Sequence, residues 1–443
     1  MQMTELAKIM KECGIVGAGG AGFPSYAKLN EKADTVILNC AECEPLFRLH
    51  RQLLSEYASE ILWALDTVRE AVGANEAIVA VKASYKEALD AVEECLDTYK
   101  NMRVAKLPEI YPAGDEIITI YEATKRVVEP GQLPISQGVI VFNVETMLNI
   151  CYAIKENTPV CYKYITVTGE VKHPQTFRVP LGITFKQAVQ MAGGETADES
   201  VYISGGAMTG RIGKKSDVVT KTTNAVLVLP KDHPVVLKKK TNTKINIYRA
   251  MSACCQCRMC TDLCSRNLLG HPIEPHNFMR AVSKGMTQDV VSIKNIMYCS
   301  QCKLCEMYAC QQGLSPGSLI GAFRGEIRTK GITPEKQPKF TGVSEHRRYR
   351  QVPMHRLISR LGLLKYDVEA PLTEVKNSFT ELKIALTQHI GQPAKAQVAV
   401  GDEVEKFAKL ASCEGLGAEL HSPCAAVVKE VTDKYIVLKI KKQ

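Results

Sequence analysis

The chain has 443 residues, 45% of them hydrophobic and 23% charged, with a formal net charge of +9. These are ordinary figures for a soluble globular protein, and the length leaves room for about three domains. No apolar run reaches the ~20 residues that span a bilayer, and the N-terminus lacks the apolar core of a secretory signal, so a cytoplasmic protein is expected.

Leu6, Ile9, Met10 and Cys13 recur at helical spacing, so "TELAKIMKECG" reads as a short amphipathic helix that stops at Gly14. The loop "GIVGAGGAGFP" (14–24) follows, and its Gly17, Gly19 and Gly22 fit G-x-G-x-x-G. That fingerprint must follow a buried strand and open a helix. Here a helix precedes it, only Ile15 and Val16 intervene, and Pro24 has no amide proton to offer a phosphate. A standard Rossmann turn is therefore not expected. What remains is a glycine-rich loop whose backbone can approach a planar or phosphorylated ligand closely; a plain surface loop is the alternative.

"TVILNC" (35–40), "AIVAVK" (77–82) and "GVIVFNV" (138–144) read as strands, with helices over 52–73 and 84–99 between them. The alternation predicts an α/β layered domain over 1–157. "KYITVTGEV", "TFRVPLG", the helix "TFKQAVQMAGG" and "NAVLVLP" then predict a small α+β unit of β-grasp type, 158–247. Helical segments holding cysteines fill 248–325, and 326–375 reads as a linker with one short helix near 354–363. Short strands with glycine turns over 376–443 predict a β sandwich.

Seventeen cysteines are many for a reducing compartment, and nine of them lie between 254 and 310. They form Cys254-x2-Cys257-x2-Cys260-x3-Cys264 and Cys299-x2-Cys302-x2-Cys305-x4-Cys310. Three cysteines at successive spacings of three wrap one cubane, and the fourth reaches the other cluster in two-cluster ferredoxins. Zinc, the alternative, prefers separated C-x2-C pairs. By analogy, Cys254, Cys257, Cys260 and Cys310 bind one [4Fe–4S] cluster, and Cys264, Cys299, Cys302 and Cys305 the other. Two departures stand out: Ser265 replaces the usual proline after the fourth cysteine, and four residues precede Cys310. Cys255 reads as a bystander. The basic runs "KKKTNTK" (238–244) and "RRYR" (347–350) read as solvated linker. No basic face with a reading element points to nucleic acid.

The motifs "GAGGAGFP", Lys28, "NCAECEP" (39–45), "YPAGDE" (111–116) and "FNVET" (142–146) each fall near the ligand edge of the α/β unit. Together they resemble the flavin- and NADH-binding subunit of respiratory complex I, and more closely the C subunit of Rnf complexes. Within that group the chain is most similar to the microcompartment cobalamin reductases, in "RLISRLGL", "QHIGQPAKAQVAVGDEV" and the C-terminal sandwich. The Rnf relative usually carries that sandwich at the front.

The resemblance implies a Rossmann-like flavin domain, a β-grasp (SLBB) domain, a helical two-[4Fe–4S] ferredoxin domain and a C-terminal barrel-sandwich domain. It implies that Gly17, Gly19, Lys28, Asn39, Glu42, Tyr111, Gly114, Asp115 and Asn143 surround FMN. Phe23, Glu44 and Glu116 are then expected to contact NADH. Phe142 stands where the complex I relative often has asparagine. The sandwich resembles biotinyl and lipoyl carriers, but its tip "CEGLGAEL" (413–420) has no lysine, so a packing or docking role is expected.

The activity implied is transfer of electrons from NADH through FMN and two clusters to cobalamin, taking cob(III)alamin to cob(I)alamin, for coenzyme recycling in 1,2-propanediol degradation. The partners implied are a corrinoid adenosyltransferase and the shell or lumen proteins of a bacterial microcompartment; a homo-oligomer is left open. The helix "TELAKIMKEC" is read as the first packed helix of the flavin domain, with an encapsulation signal as its alternative. An Rnf-like NADH:ferredoxin or quinone module is the rival enzyme. A non-catalytic iron–sulfur scaffold is the rival of another class.

Overall fold

The computed structural model describes residues 1–29, 32–285, 288–335, 338–374 and 379–441. Helix α1 (Met3–Glu12) leads into the glycine loop, and β1 (Thr35–Cys40) follows. Next come α2 (Leu49–Glu56), α3 (Ala58–Val72), β2 (Glu76–Lys82), α4 (Lys86–Leu96) and β3 (Met102–Leu107). The short β4 (Ile110–Tyr111), α5 (Glu116–Thr124), β5 (Val139–Asn143) and α6 (Val144–Glu156) complete the first unit.

Strands β3-β2-β1-β5 form one parallel sheet in that order. Its two faces enter different cores. Val36, Leu38, Val79 and Phe142 pack with the helices α1–α4 and α6, whereas Ile37, Ile78, Ala80 and Val141 pack with α5. Burial on both faces is why β1, β2 and β5 read as unbroken apolar runs. The single helix expected over 52–73 is instead two, parted at Tyr57 (φ −123°, ψ 32°). The Tyr57 ring lies 6.3 Å from that of Tyr164 in the next domain, and the bend permits that contact.

The second unit contains β6 (Tyr162–Gly169), β7 (Gln175–Pro180), α7 (Phe185–Met191), β8 (Ser200–Ser204), β9 (Arg211–Gly213) and β10 (Ala225–Pro230). A Thr184/Gln187 capping box starts α7. The distant segment read as a linker takes part in both units. Its β11 (Val352–Pro353) pairs antiparallel with β4. Its β12 (Leu372–Thr373) lies parallel to β7 and gives the second sheet a sixth strand. The segment is thus stitched into two domains, although its residues 336, 337 and 375 lie outside the described ones.

The cysteine-rich unit is helical, with Ala250, Phe278, Leu319 and Ile320 at its core. The C-terminal unit stacks a four-stranded sheet (strands within 381–385, 435–440, 426–431 and 403–404) on a three-stranded one (395–396, 409–412 and 420–421). Among the described residues no helix is long and apolar enough to cross a membrane.

Candidate functional site

A cavity of about 520 Å³ opens at the C-terminal ends of β1 and β5. All twelve residues named above for FMN and NADH line it. Their placement follows from local structure. The glycine loop is pinched by a Val16–Pro24 bridge and by Gly17 N–H donating to Phe23 O at 2.9 Å. Its tip is held from outside, where Ile390 N–H donates to Ala21 O at 2.8 Å. Tyr26, just beyond the loop, donates to Gly415 O at 3.2 Å. Buried Lys221 donates to Gly14 O at 2.6 Å and Glu419 O at 2.7 Å. A Cβ on Gly14, whose φ is +65°, would stand 2.2 Å from Glu419 O. The lysine-free tip of the sandwich domain therefore packs against the base of the flavin loop.

Asn39 Nδ2 donates to Gly114 O at 3.0 Å, so β1 fixes the floor of the cavity. The chain crosses so closely there that a Cβ on Gly114 would lie 2.0 Å from Ala41 O. Asp115 caps α5 by accepting from the Ile117 and Ile118 amides, and it takes two bonds from Arg266, at 2.9 and 2.8 Å. Lys28 Nζ bonds Val141 O at 2.8 Å and Glu116 Oε1 at 3.0 Å, with its charge 5.7 Å from the Phe142 ring centroid. Phe23 stands 39% exposed.

Glu42 is buried; its Oε2 accepts from His50 N–H at 3.2 Å, while Oε1 has no hydrogen-bond partner among the described residues. Burial pushes its carboxyl up to about 7, against the opposing charge of Arg51. His50 is pushed down to about 3, by burial first and the charge of Lys163 second. Its Nε2 lies 3.0 Å from Asn143 Nδ2. Glu44 is already engaged by the β-grasp domain, accepting from Met208 N–H at 2.9 Å and Thr209 N–H at 2.7 Å. His50, Thr146, Thr209, Asn224 and Ser300 also line the cavity. Thr146 ends the motif "FNVET"; nothing local in the sequence marks the other four, three of which come from other domains.

The lining suits a polar planar ligand such as FMN. Among the described residues Glu42 Oε1 and Asn224 Oδ1 are buried acceptors without donors, and a ligand's N–H or O–H groups satisfy such atoms. Lys28 and the amides of Gly19 and Gly20 offer the donors that an anionic ligand needs.

The cysteine loops share one backbone shape. Gln256 (φ 56°) and Arg258 (69°) flank Cys257, and Gln301 (60°) and Lys303 (63°) flank Cys302 in the same left-handed conformation. Cys254, Cys257, Cys260 and Cys310 line one recess. Cys264 lies electrostatically close to Cys302 and Cys299, and Cys305 to the same two. Amides aim at the sulfurs: Gln301 N–H donates to Cys299 Sγ and Leu314 N–H to Cys310 Sγ, both at 3.3 Å. Burial first, then neighbouring thiols, pushes Cys260 and Cys264 up to about 12. Thiols so placed ionise readily only against metal charge, which is what an iron–sulfur cluster provides. Among the described residues no trio of Cys, His, Asp or Glu converges as on a single ion; the thiols are arrayed along the two loops.

The two quartets differ in position. Cys302 and Ser300 are part of the wall of the 520 Å³ cavity, and buried Tyr111 donates to Cys302 O at 2.5 Å. Cys257 of the other quartet is exposed, as is Cys255. The Cys264/Cys299/Cys302/Cys305 set is therefore the inner one.

Four family descriptions match: the Nuo51 FMN-binding domain over 10–152, the SLBB domain over 164–212, the 4Fe-4S dicluster domain over 253–315 and the RnfC barrel sandwich hybrid domain over 368–442. The chain is 38% identical to cobalamin reductase PduS of Salmonella typhimurium, over 99% of this chain and 97% of the relative. It is 37% identical to the Citrobacter freundii protein of the same name, over 97% and 95%. A component of the Na(+)-translocating ferredoxin:NAD(+) oxidoreductase complex of Acetobacterium woodii is 31% identical over 60% and 59%. With a polar cavity walled by one cysteine loop and near-end-to-end similarity to those two reductases, the chain belongs to the cobalamin reductase PduS family.

Proposed function

We propose that this protein is an NADH-dependent reductase of cobalamin that uses FMN and two [4Fe–4S] clusters. The observation that carries this reading is the shared wall: the cavity proposed for FMN and the inner thiol quartet meet at Cys302, joined by the Tyr111 bond. When bound, FMN exchanges the two electrons of a hydride for single electrons, and the clusters pass single electrons.

The chain's own residues bind and orient. Gly17, Gly19, Lys28, Asn39, Glu42, Tyr111, Gly114, Asp115 and Asn143 hold FMN in this reading. Phe23 offers an exposed ring at the mouth for the nicotinamide nucleotide, and Glu116 an acid steered by Lys28. Glu44 ties the β-grasp loop 206–209 to the same mouth and reaches NADH by exchanging its amide bonds. The assigned domain limits are 1–157, 158–247, 248–325 and 376–443, around the connecting 326–375.

Cobalamin as acceptor rests on the relatives' name and similarity. Cob(I)alamin is a strong reductant that oxygen or water consumes once it is released. This favours direct transfer to a corrinoid adenosyltransferase within a microcompartment. The test is anaerobic NADH oxidation with cob(III)alamin, ferredoxin and quinone analogues side by side, followed by adenosylcobalamin formation with the transferase added. Faster reduction of the corrinoid supports the proposal. Ferredoxin reduced far faster than any corrinoid replaces it with the Rnf-like alternative, and iron and sulfide without FMN replaces it with the scaffold.

A further inference from the structure

Arg266 follows the inner ligand Cys264 by two residues and is nearly buried, its side chain 15% exposed. One end of its guanidinium is spent on Asp115 of the flavin cavity, through two bonds from Nη2. Its Nε–H is buried and has no partner among the described residues. The side chain lies in the electrostatic field of Cys302 and Cys264. Arg324 repeats the pattern on the other side. Its Nη1 donates to Cys299 O at 2.5 Å, and its Nε–H is likewise buried without a partner. A buried N–H without an acceptor is costly, so two of them near one thiol quartet call for acceptors there.

We propose that Arg266 is the positioning residue that sets the potential of the inner cluster and couples it to the flavin site through Asp115. The proposal rests on the cofactor reading above and deepens it. Adding one electron makes a thiolate-bound cubane one unit more negative. A guanidinium against its sulfurs stabilises that form and raises the potential, because net charge and hydrogen bonds to sulfur set cluster potentials. Asp115 works in the opposite sense. It holds the fork in place and partly neutralises it, so a change in charge on either side of the pair is felt on the other.

The test is an EPR-monitored potentiometric titration of the anaerobic holoprotein, with iron, sulfide and FMN counted in each preparation. In Arg266→Gln the inner cluster becomes harder to reduce by about tenfold in its one-electron equilibrium constant, ~59 mV, while the outer cluster stays put. Arg266→Lys keeps the charge and recovers most of the shift. Asp115→Asn retains the α5 cap and moves the inner potential upward, which tests the proposal even if Arg266→Gln fails to assemble. An unmoved inner potential in fully loaded Arg266→Gln overturns the proposal. So does an equal loss in Arg266→Lys, or an unmoved potential in Asp115→Asn. A wild-type preparation without iron and sulfide overturns instead the cofactor reading on which the proposal rests.

Discussion

Three alanine substitutions in the cavity wall separate folding from flavin binding. At Gly114 the new Cβ would stand 2.0 Å from Ala41 O and 3.2 Å from Cys43 Sγ. An ordinary C···O contact is ~3.3 Å, so two backbone segments must part by roughly 1.3 Å. Such overpacking costs about 1–3 kcal/mol, and moving Gly114 also strains the Asn39 bond, worth ~1 kcal/mol. Gly114→Ala is thus expected to lose about 2–4 kcal/mol and to bind FMN poorly. Gly20 has nothing within 4 Å but a φ of +63°, so its alanine variant loses only the left-handed penalty of about 1–2 kcal/mol. A Cβ on Gly19 meets Asn224 Nδ2 at 3.4 Å and Asn143 Nδ2 at 3.8 Å, both groups of cavity residues. Its methyl enters ligand space with little effect on folding, within ~0.5 kcal/mol. The apparent FMN affinity should then fall about tenfold, ~1.4 kcal/mol. Chemical denaturation of the apoprotein and flavin-fluorescence titration measure the two quantities separately. Wild-type stability and wild-type FMN affinity in Gly114→Ala would refute the reasoning.

Other outcomes follow from the same structure. The anaerobic protein should hold about eight irons per chain; Cys257→Ala and Cys302→Ala should each keep about four, but only Cys257→Ala should retain NADH reduction of its remaining cluster by EPR. Lys163 and Glu145 are both 1% exposed and pair across the flavin and β-grasp domains. Lys163→Met strands a buried carboxylate and should cost about 3–5 kcal/mol in denaturant, with much of it recovered in the Lys163→Met/Glu145→Gln double variant. Glu42 is raised from 4.5 to about 7 by burial, so its contribution to stability is complete below its unfolded value and is lost as pH rises through about 7. Glu42→Gln should therefore gain on the wild type between pH ~5 and pH ~8, by up to ~3 kcal/mol, and a difference in apoprotein stability that is flat across that range would contradict the burial argument. His50, held neutral by burial down to about pH 3, changes stability in the opposite sense but is common to both proteins.

The parts legible in the sequence were those fixed by local chemistry. Strands β1, β2 and β5 announced themselves because both faces of their sheet are covered. Strand β3 did not: it is an edge strand in which Arg103 and Lys106 interrupt the apolar pattern. The helix break at Tyr57 was invisible because Leu54, Ile61, Leu65 and Val68 keep one periodicity through it, and the ring that Tyr57 meets, Tyr164, lies in another domain. Cysteine spacing and glycine content marked the two ends of the candidate site. The groups that complete the cavity had no local signature, since Thr209 and Asn224 arrive from the β-grasp domain and Ser300 from a cysteine loop. The clamp on the glycine loop was equally hidden, because it is made by residues 389–419 folding back on the N-terminus.

The wall shared at Ser300 and Cys302 ties the cavity to the fold of the inner cysteine loop. Ser300 and Cys302 belong to that loop and Tyr111 bonds its Cys302 carbonyl, so on the cofactor reading a loop not held by a cluster should leave that side of the cavity less firmly fixed. On that reading iron supply should govern flavin retention. Chains synthesised in iron-poor cells should be flavin-poor even when riboflavin is abundant. Added FMN alone should not restore them, whereas iron and sulfide followed by FMN should. On the same reading, a half-loaded protein that would waste NADH on oxygen at an unconnected flavin should be rare.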